Sequence, residues 1–233
     1  MLAKNIPNFV LQSKALRHKV RPMSIRNEAE ENLRIIRSLM EKATVYRAIS
    51  APGALAGGLG ATAIAIYGGA VAQGRFGSPA TVPQFLGMWI GLLVVVTVAN
   101  FMLLARDAAR RSEPFVSPGM KLALRAMLPG LLAGGMLGLA FSFTAPQISA
   151  AIWVLLYGVS LLAAAHFAPK SICWLGRAFF LAGTGLFALF AFGASWESSP
   201  LLTAHAAMGL TFGLFHIVYA ALTWPRRRPG ADS

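Results

Sequence analysis

Histidine is the side chain most able to do chemistry inside the long apolar runs of this sequence. His205 and His216 stand eleven residues apart in the last such run. At 3.6 residues per turn that is about three turns, so an unbroken α-helix sets both on nearly the face that carries Gly209 and Gly213. His166 falls near the end of an earlier run, at a depth that matches His216 if the two helices are neighbours. A haem iron takes one or two axial imidazoles, so His166 and His216 are the redox or metal-binding candidates, with haem b the group they would hold. The more common role of such histidines is a hydrogen bond across helices or a place at the membrane interface, and on that reading no cofactor is expected.

Other groups support less. Asn100, three residues after Thr97, is able to hold a polar ligand or to bond across helices. His205 and Glu197 fall near one surface and are candidate ligands for a cation, but one imidazole and one carboxylate are too few to define a metal site. Cys173, the one cysteine, excludes an intramolecular disulfide and has no identifiable catalytic partner. Ser195, Ser198 and Ser199 lack a nucleophile elbow, and no phosphate loop or zinc-protease signature occurs. No catalytic residues are assigned. The expected spans contain no Asp or Glu, which disfavours proton-coupled transport through a buried carboxylate.

The elements that must position these groups are membrane helices. Hydrophobic residues make up 56% of the 233 and charged residues 12%, a balance that water-soluble domains do not show. Apolar runs of about 20 residues cross a hydrocarbon core roughly 30 Å thick. They are expected at Ala51 to Val71, Phe85 to Ala105, Leu122 to Phe143, Ile148 to Phe167, Ile172 to Gly193 and Leu202 to Trp224. The expected fold is an all-α polytopic bundle of about six transmembrane helices in three antiparallel hairpins, preceded by a cytoplasmic amphipathic helix.

Charge supplies the orientation, because Lys and Arg concentrate in cytoplasmic loops. The formal net charge is +13, and topology explains it without invoking nucleic acid. With the N-terminus inside, 20 of the 21 basic residues fall on one side and Arg75 alone on the other. Both termini are then cytoplasmic, and the expected location is a bacterial inner membrane. Trp89, Trp153 and Trp196 fall towards the outer boundary and Trp174 and Trp224 towards the inner one, as interfacial belts do.

Residues 1–26 are basic without an acidic residue and read as a flexible tail on anionic lipid, or as a start-site artefact with Met23 the true start. Residues 27–47 read as an amphipathic helix, opening on Asn27 with Glu28, Glu30 and Glu31 in its first turn. Its apolar stripe includes Leu33, Ile36, Met40 and Ala43, the candidate partner-binding residues. The partner would be membrane lipid, a cytoplasmic protein or a second copy of the chain. The spans occupy 48–225, and 226–233 is a second basic tail.

Small residues recur every fourth position in two spans: Gly53, Gly57, Ala61, Ala65 and Gly69, then Ala126, Gly130, Gly134, Gly138 and Ser142. With Gly209 and Gly213 these are the expected helix-packing positions, and they place the first and third spans at the bundle centre. Pro129 removes a backbone donor, so the third span is expected to kink or effectively begin there. The leading functional expectation is a non-enzymatic interaction or regulatory component docking through the 27–47 helix. The alternatives are a small-solute transporter or channel and a haem- or quinone-linked redox subunit.

Overall fold

The structure is a computed structural model that describes residues 27–36, 51–78, 80–111, 118–165, 168–193 and 199–224. The expectations for His166, Met40, Ala43, Trp196 and Glu197, and for the basic tails, lie outside these residues. The chain divides into two compact units, Met1–Met40 and Glu41–Ser233. In the first, residues 27–36 are helical, with Leu33, Ile35 and Ile36 exposed.

The described residues of the second unit form helices and connecting turns, without strands. The helices are α1 (Ala51–Ala72), α2 (Val82–Arg111), α3 (Pro118–Ser142), α4 (Pro146–Ala163) and α5 (Lys170–Phe192), followed by α6 (Pro200–Thr223). All six are long and apolar enough to cross a membrane. Their outward faces agree: Ile66, Leu93, Val95, Met136, Leu181, Phe192 and Leu222 are each at least 64% exposed. At about 25 cal/mol per Å² of apolar surface, water would penalise that exposure heavily, whereas lipid tails solvate it. These properties fit an integral membrane protein.

The boundaries follow local chemistry. Proline opens α3, α4 and α6, where the missing N–H costs no helical hydrogen bond. α2 runs on to Arg111, beyond the expected end at Ala105, taking in the charged stretch from Arg106 that the apolar run left out. Pro129 does not start α3: the helix begins at Pro118 and continues through it.

α4, rather than α3, is the hub. It packs against α3, α5 and the first segment of α6, whereas α3 packs extensively on α4 alone and α2 mainly on α1. The small-residue stripe of α3 is thus spent on one neighbour, with Gly130 against Ser160, Gly134 against Leu156 and Gly138 against the Trp153 indole. At its far end the Ser142 and Ser149 hydroxyls both reach the Gly138 carbonyl, at 2.8 and 2.6 Å, tying α3 to α4. α1 does hold a central place, between α2 and α6. Gly57 meets Val96 of α2, Gly209 lies against Ala65, and Gly213 lies against Thr62.

Two buried clusters form around these contacts. One joins Leu161, Ile172, Leu175, Phe179 and Tyr219. The other joins Ala61, Phe85, Leu86, Trp89, Ala204 and Met208.

Candidate functional site

The last span is not an unbroken α-helix. Pro200–Met208 and His216–Thr223 are α-helical, but Gly209–Phe215 between them is a π-helix. Wider π turns rotate the phase of the next helical segment by roughly a quarter turn. His205 and His216 therefore meet different neighbours, and the expectation that they share a face is corrected by this segment.

His205 is fully buried. Its Nδ1 accepts a hydrogen bond from the Trp89 indole N–H at 3.2 Å. Phe85 meets the imidazole edge-on, with centroids 5.0 Å apart. Gly68 lies directly beneath the ring, and a Cβ there would overlap it. Nε2 has no hydrogen-bond partner among the described residues. The imidazole is thus enclosed by α1, α2 and α6, and the group acts as a polar tie between these helices. Trp89, expected in an interfacial belt, is 5% exposed and completes the tie.

His216 is held at both nitrogens. Nδ1 lies 2.9 Å from the Phe212 carbonyl, which can only accept, so Nδ1 donates. In the neutral ring Nε2 then carries a lone pair, and the Tyr157 hydroxyl, 3.2 Å away, donates to it. Phe179 and Phe212 pack on the phenol ring with centroids 4.8 and 5.2 Å away. An axial bond to iron would need one of these nitrogens released. Among the described residues no three His, Cys, Asp or Glu side chains cluster to hold a metal ion.

Tyr157 and His216 form part of the wall of a cavity of about 520 Å³. Five helices contribute: α1 through Gly53, Gly57 and Ala61, α2 through its Trp89 to Asn100 face, α3 through its Leu124 to Gly135 face, α4 through Trp153 and Tyr157, and α6 through Met208, Phe212 and His216. The volume is that of sites for small organic molecules, and the wall is mostly apolar. The glycines of α1 and α3 create the space by withholding side chains; nothing lies within 4 Å of a Cβ placed on Gly135. α2 and α3 make no extensive contact with each other, so among the described residues the cavity is not closed between these two helices.

The expected site residues divide accordingly. His216 and Asn100, with Thr97 beside it, come together in the cavity wall, as do Gly53, Gly57, Gly130 and Gly134. His205 does not line the cavity but braces Trp89, which does. Sequence reasoning missed Tyr157; its signal was a lone phenol in the second half of an apolar span. Cys173 is half-buried, with its thiol 3.6 Å from the Pro169 carbonyl, away from the cavity wall. In comparisons with known protein families, with curated proteins and with solved structures, the chain matches none.

Proposed function

We propose that this protein is a non-enzymatic, membrane-embedded binding component that takes an apolar or amphiphilic small molecule from the bilayer into the cavity between α1, α2, α3, α4 and α6. The observation that supports this most is the cavity itself: about 520 Å³, apolar over most of its wall, polar at Tyr157 and His216, and, among the described residues, not closed between α2 and α3. A channel would need a continuous polar path through the bundle, and the lining of this cavity is mostly apolar, with Thr97, Asn100, Tyr157 and His216 its few polar groups with side-chain hydrogen-bonding capacity besides the tryptophans. The proposal includes three antiparallel hairpins, both termini on the cytoplasmic side and a bacterial cytoplasmic membrane. The distribution of basic residues supports that orientation.

The test is native mass spectrometry of protein released from its own membrane in mild detergent. The expected spectrum carries one small amphiphile per chain, surviving removal of annular phospholipid. Release of bare protein at the lowest activation energy would overturn the proposal.

A second reading rests on the first unit. Leu33, Ile35 and Ile36 are exposed on the helix over 27–36, and the residues before α1 include ten Lys and Arg. That combination suits an anionic lipid surface, at about 1 kcal/mol per basic residue near it. A photo-cross-linker at Ile36 in native membranes is expected to capture lipid. Capture of one defined protein instead would replace lipid with a protein partner, and capture of a second copy would indicate a homo-oligomer.

A further inference from the structure

Resting on the cavity reading, we infer that the ligand presents a hydrogen-bond donor, a hydroxyl, to the phenolic oxygen of Tyr157. The polarity of the hydrogen-bond chain on this wall carries the inference. A backbone carbonyl has no proton to give, so the Phe212 carbonyl fixes the His216 Nδ1 as donor at 2.9 Å. The neutral imidazole then has only a lone pair at Nε2. The Tyr157 hydroxyl, 3.2 Å from it, commits its single proton there.

Both residues line the cavity, and what the pair still has to offer is lone-pair density on the phenolic oxygen. Rotation of the hydroxyl towards the ligand would strand Nε2 in an apolar wall, which is costly. The ring itself is held by Phe179 and Phe212. The Phe212 carbonyl that sets the polarity belongs to the π-helical segment, and irregular turns of this kind are frequent at functional sites.

An alcohol or a hydroquinone satisfies such an acceptor. A ketone, an ether or a quinone sets acceptor against acceptor. The ligand class is therefore a membrane-borne alcohol, with its chain in the apolar part of the cavity. A volume of about 520 Å³ holds roughly 17 groups of water size at about 30 Å³ each, enough for a medium-length chain or a small ring system.

The experiment uses two probes of equal shape: an ω-brominated secondary undecanol, its hydroxyl on the carbon next to the chain end, and the methyl ketone of the same skeleton. Bromine quenches indole emission, and Trp89 and Trp153 both line the cavity. The full chain is placed in nanodiscs with its three other tryptophans replaced by Phe, and quenching is titrated. The expected result is saturable quenching by the alcohol at a concentration about tenfold below that of the ketone, a tenfold ratio corresponding to about 1.4 kcal/mol. Tyr157→Phe should bring the two probes level. His216→Phe should also narrow the gap, because it frees the phenol proton to donate to the ketone. Equal saturable quenching in the parent protein would overturn the donor inference while leaving the cavity reading standing. Quenching by neither probe beyond the level of bulk lipid would overturn both.

Discussion

Gly183→Leu should lower the melting temperature in detergent by more than about 6 °C or abolish the monodisperse bundle, while Gly185→Leu on the same helix should leave it within about 2 °C. The contrast comes from what each Cα faces. A Cβ on Gly183 would overlap the backbone of Leu155 on α4, whereas nothing lies within 4 Å of one on Gly185. Gly158 makes the reciprocal approach, lying against the Phe179–Phe180 backbone. Flexible side chains can turn away from an added methyl, but a helix backbone cannot, so α4 and α5 would have to separate. Overpacking typically costs about 1–3 kcal/mol even where side chains can adjust. The consequence is larger in a membrane, where no hydrophobic force draws helices together and close packing carries much of their association. Since α4 also holds α3 and part of α6, loosening it should unfasten more than one pair. Size-exclusion chromatography after heating, with both variants beside the parent, checks this.

Gly135→Trp should leave the fold intact and reduce the retained amphiphile at least about tenfold, a loss of about 1.4 kcal/mol or more in binding. Gly135 lies in the α3 wall, and a Cβ there has nothing within 4 Å, so a side chain can start from it without a clash and its indole is expected to fill cavity space between α2 and α3. Replacing a mid-helix glycine should even favour the helix slightly, by a few tenths of a kcal/mol. The same mass-spectrometric comparison that tests ligand retention reads the effect. An unchanged melting temperature separates lost binding from lost folding. Retention equal to the parent would mean that the ligand lies elsewhere.

The spans were legible because apolar runs of the required length have one good solvent. The stripe of Gly130, Gly134 and Gly138 was legible because it repeats along one helix, and each of these glycines lies close to α4. Gly158 and Gly183 were not, since an isolated glycine acquires its importance from the partner backbone opposite it. The same limit placed α3 at the bundle centre when it packs chiefly on α4. A small-residue stripe says that a neighbour comes close, not how many neighbours there are. The π segment at Gly209–Phe215 is invisible to periodicity because α6 is apolar on all sides, and it is what separated His205 from His216. The burial of Trp89 was not legible for a related reason: exposed and buried tryptophans near a helix end look alike in sequence until the acceptor of the indole N–H, here His205, is known. Asn100 and His216 were recognisable as polar groups in apolar runs, but their common cavity depends on how five helices are arranged.

The most direct measurement of whether the cavity takes a ligand from the bilayer is the shape of one quenching curve. With Trp89 and Trp153 the only indoles left, brominated undecanol should quench in two phases in nanodiscs, a saturable one at low mole fraction and a shallow linear one from bulk lipid. The saturable phase should disappear on adding excess unbrominated undecanol. A single linear phase, indifferent to that competitor, would contradict the account.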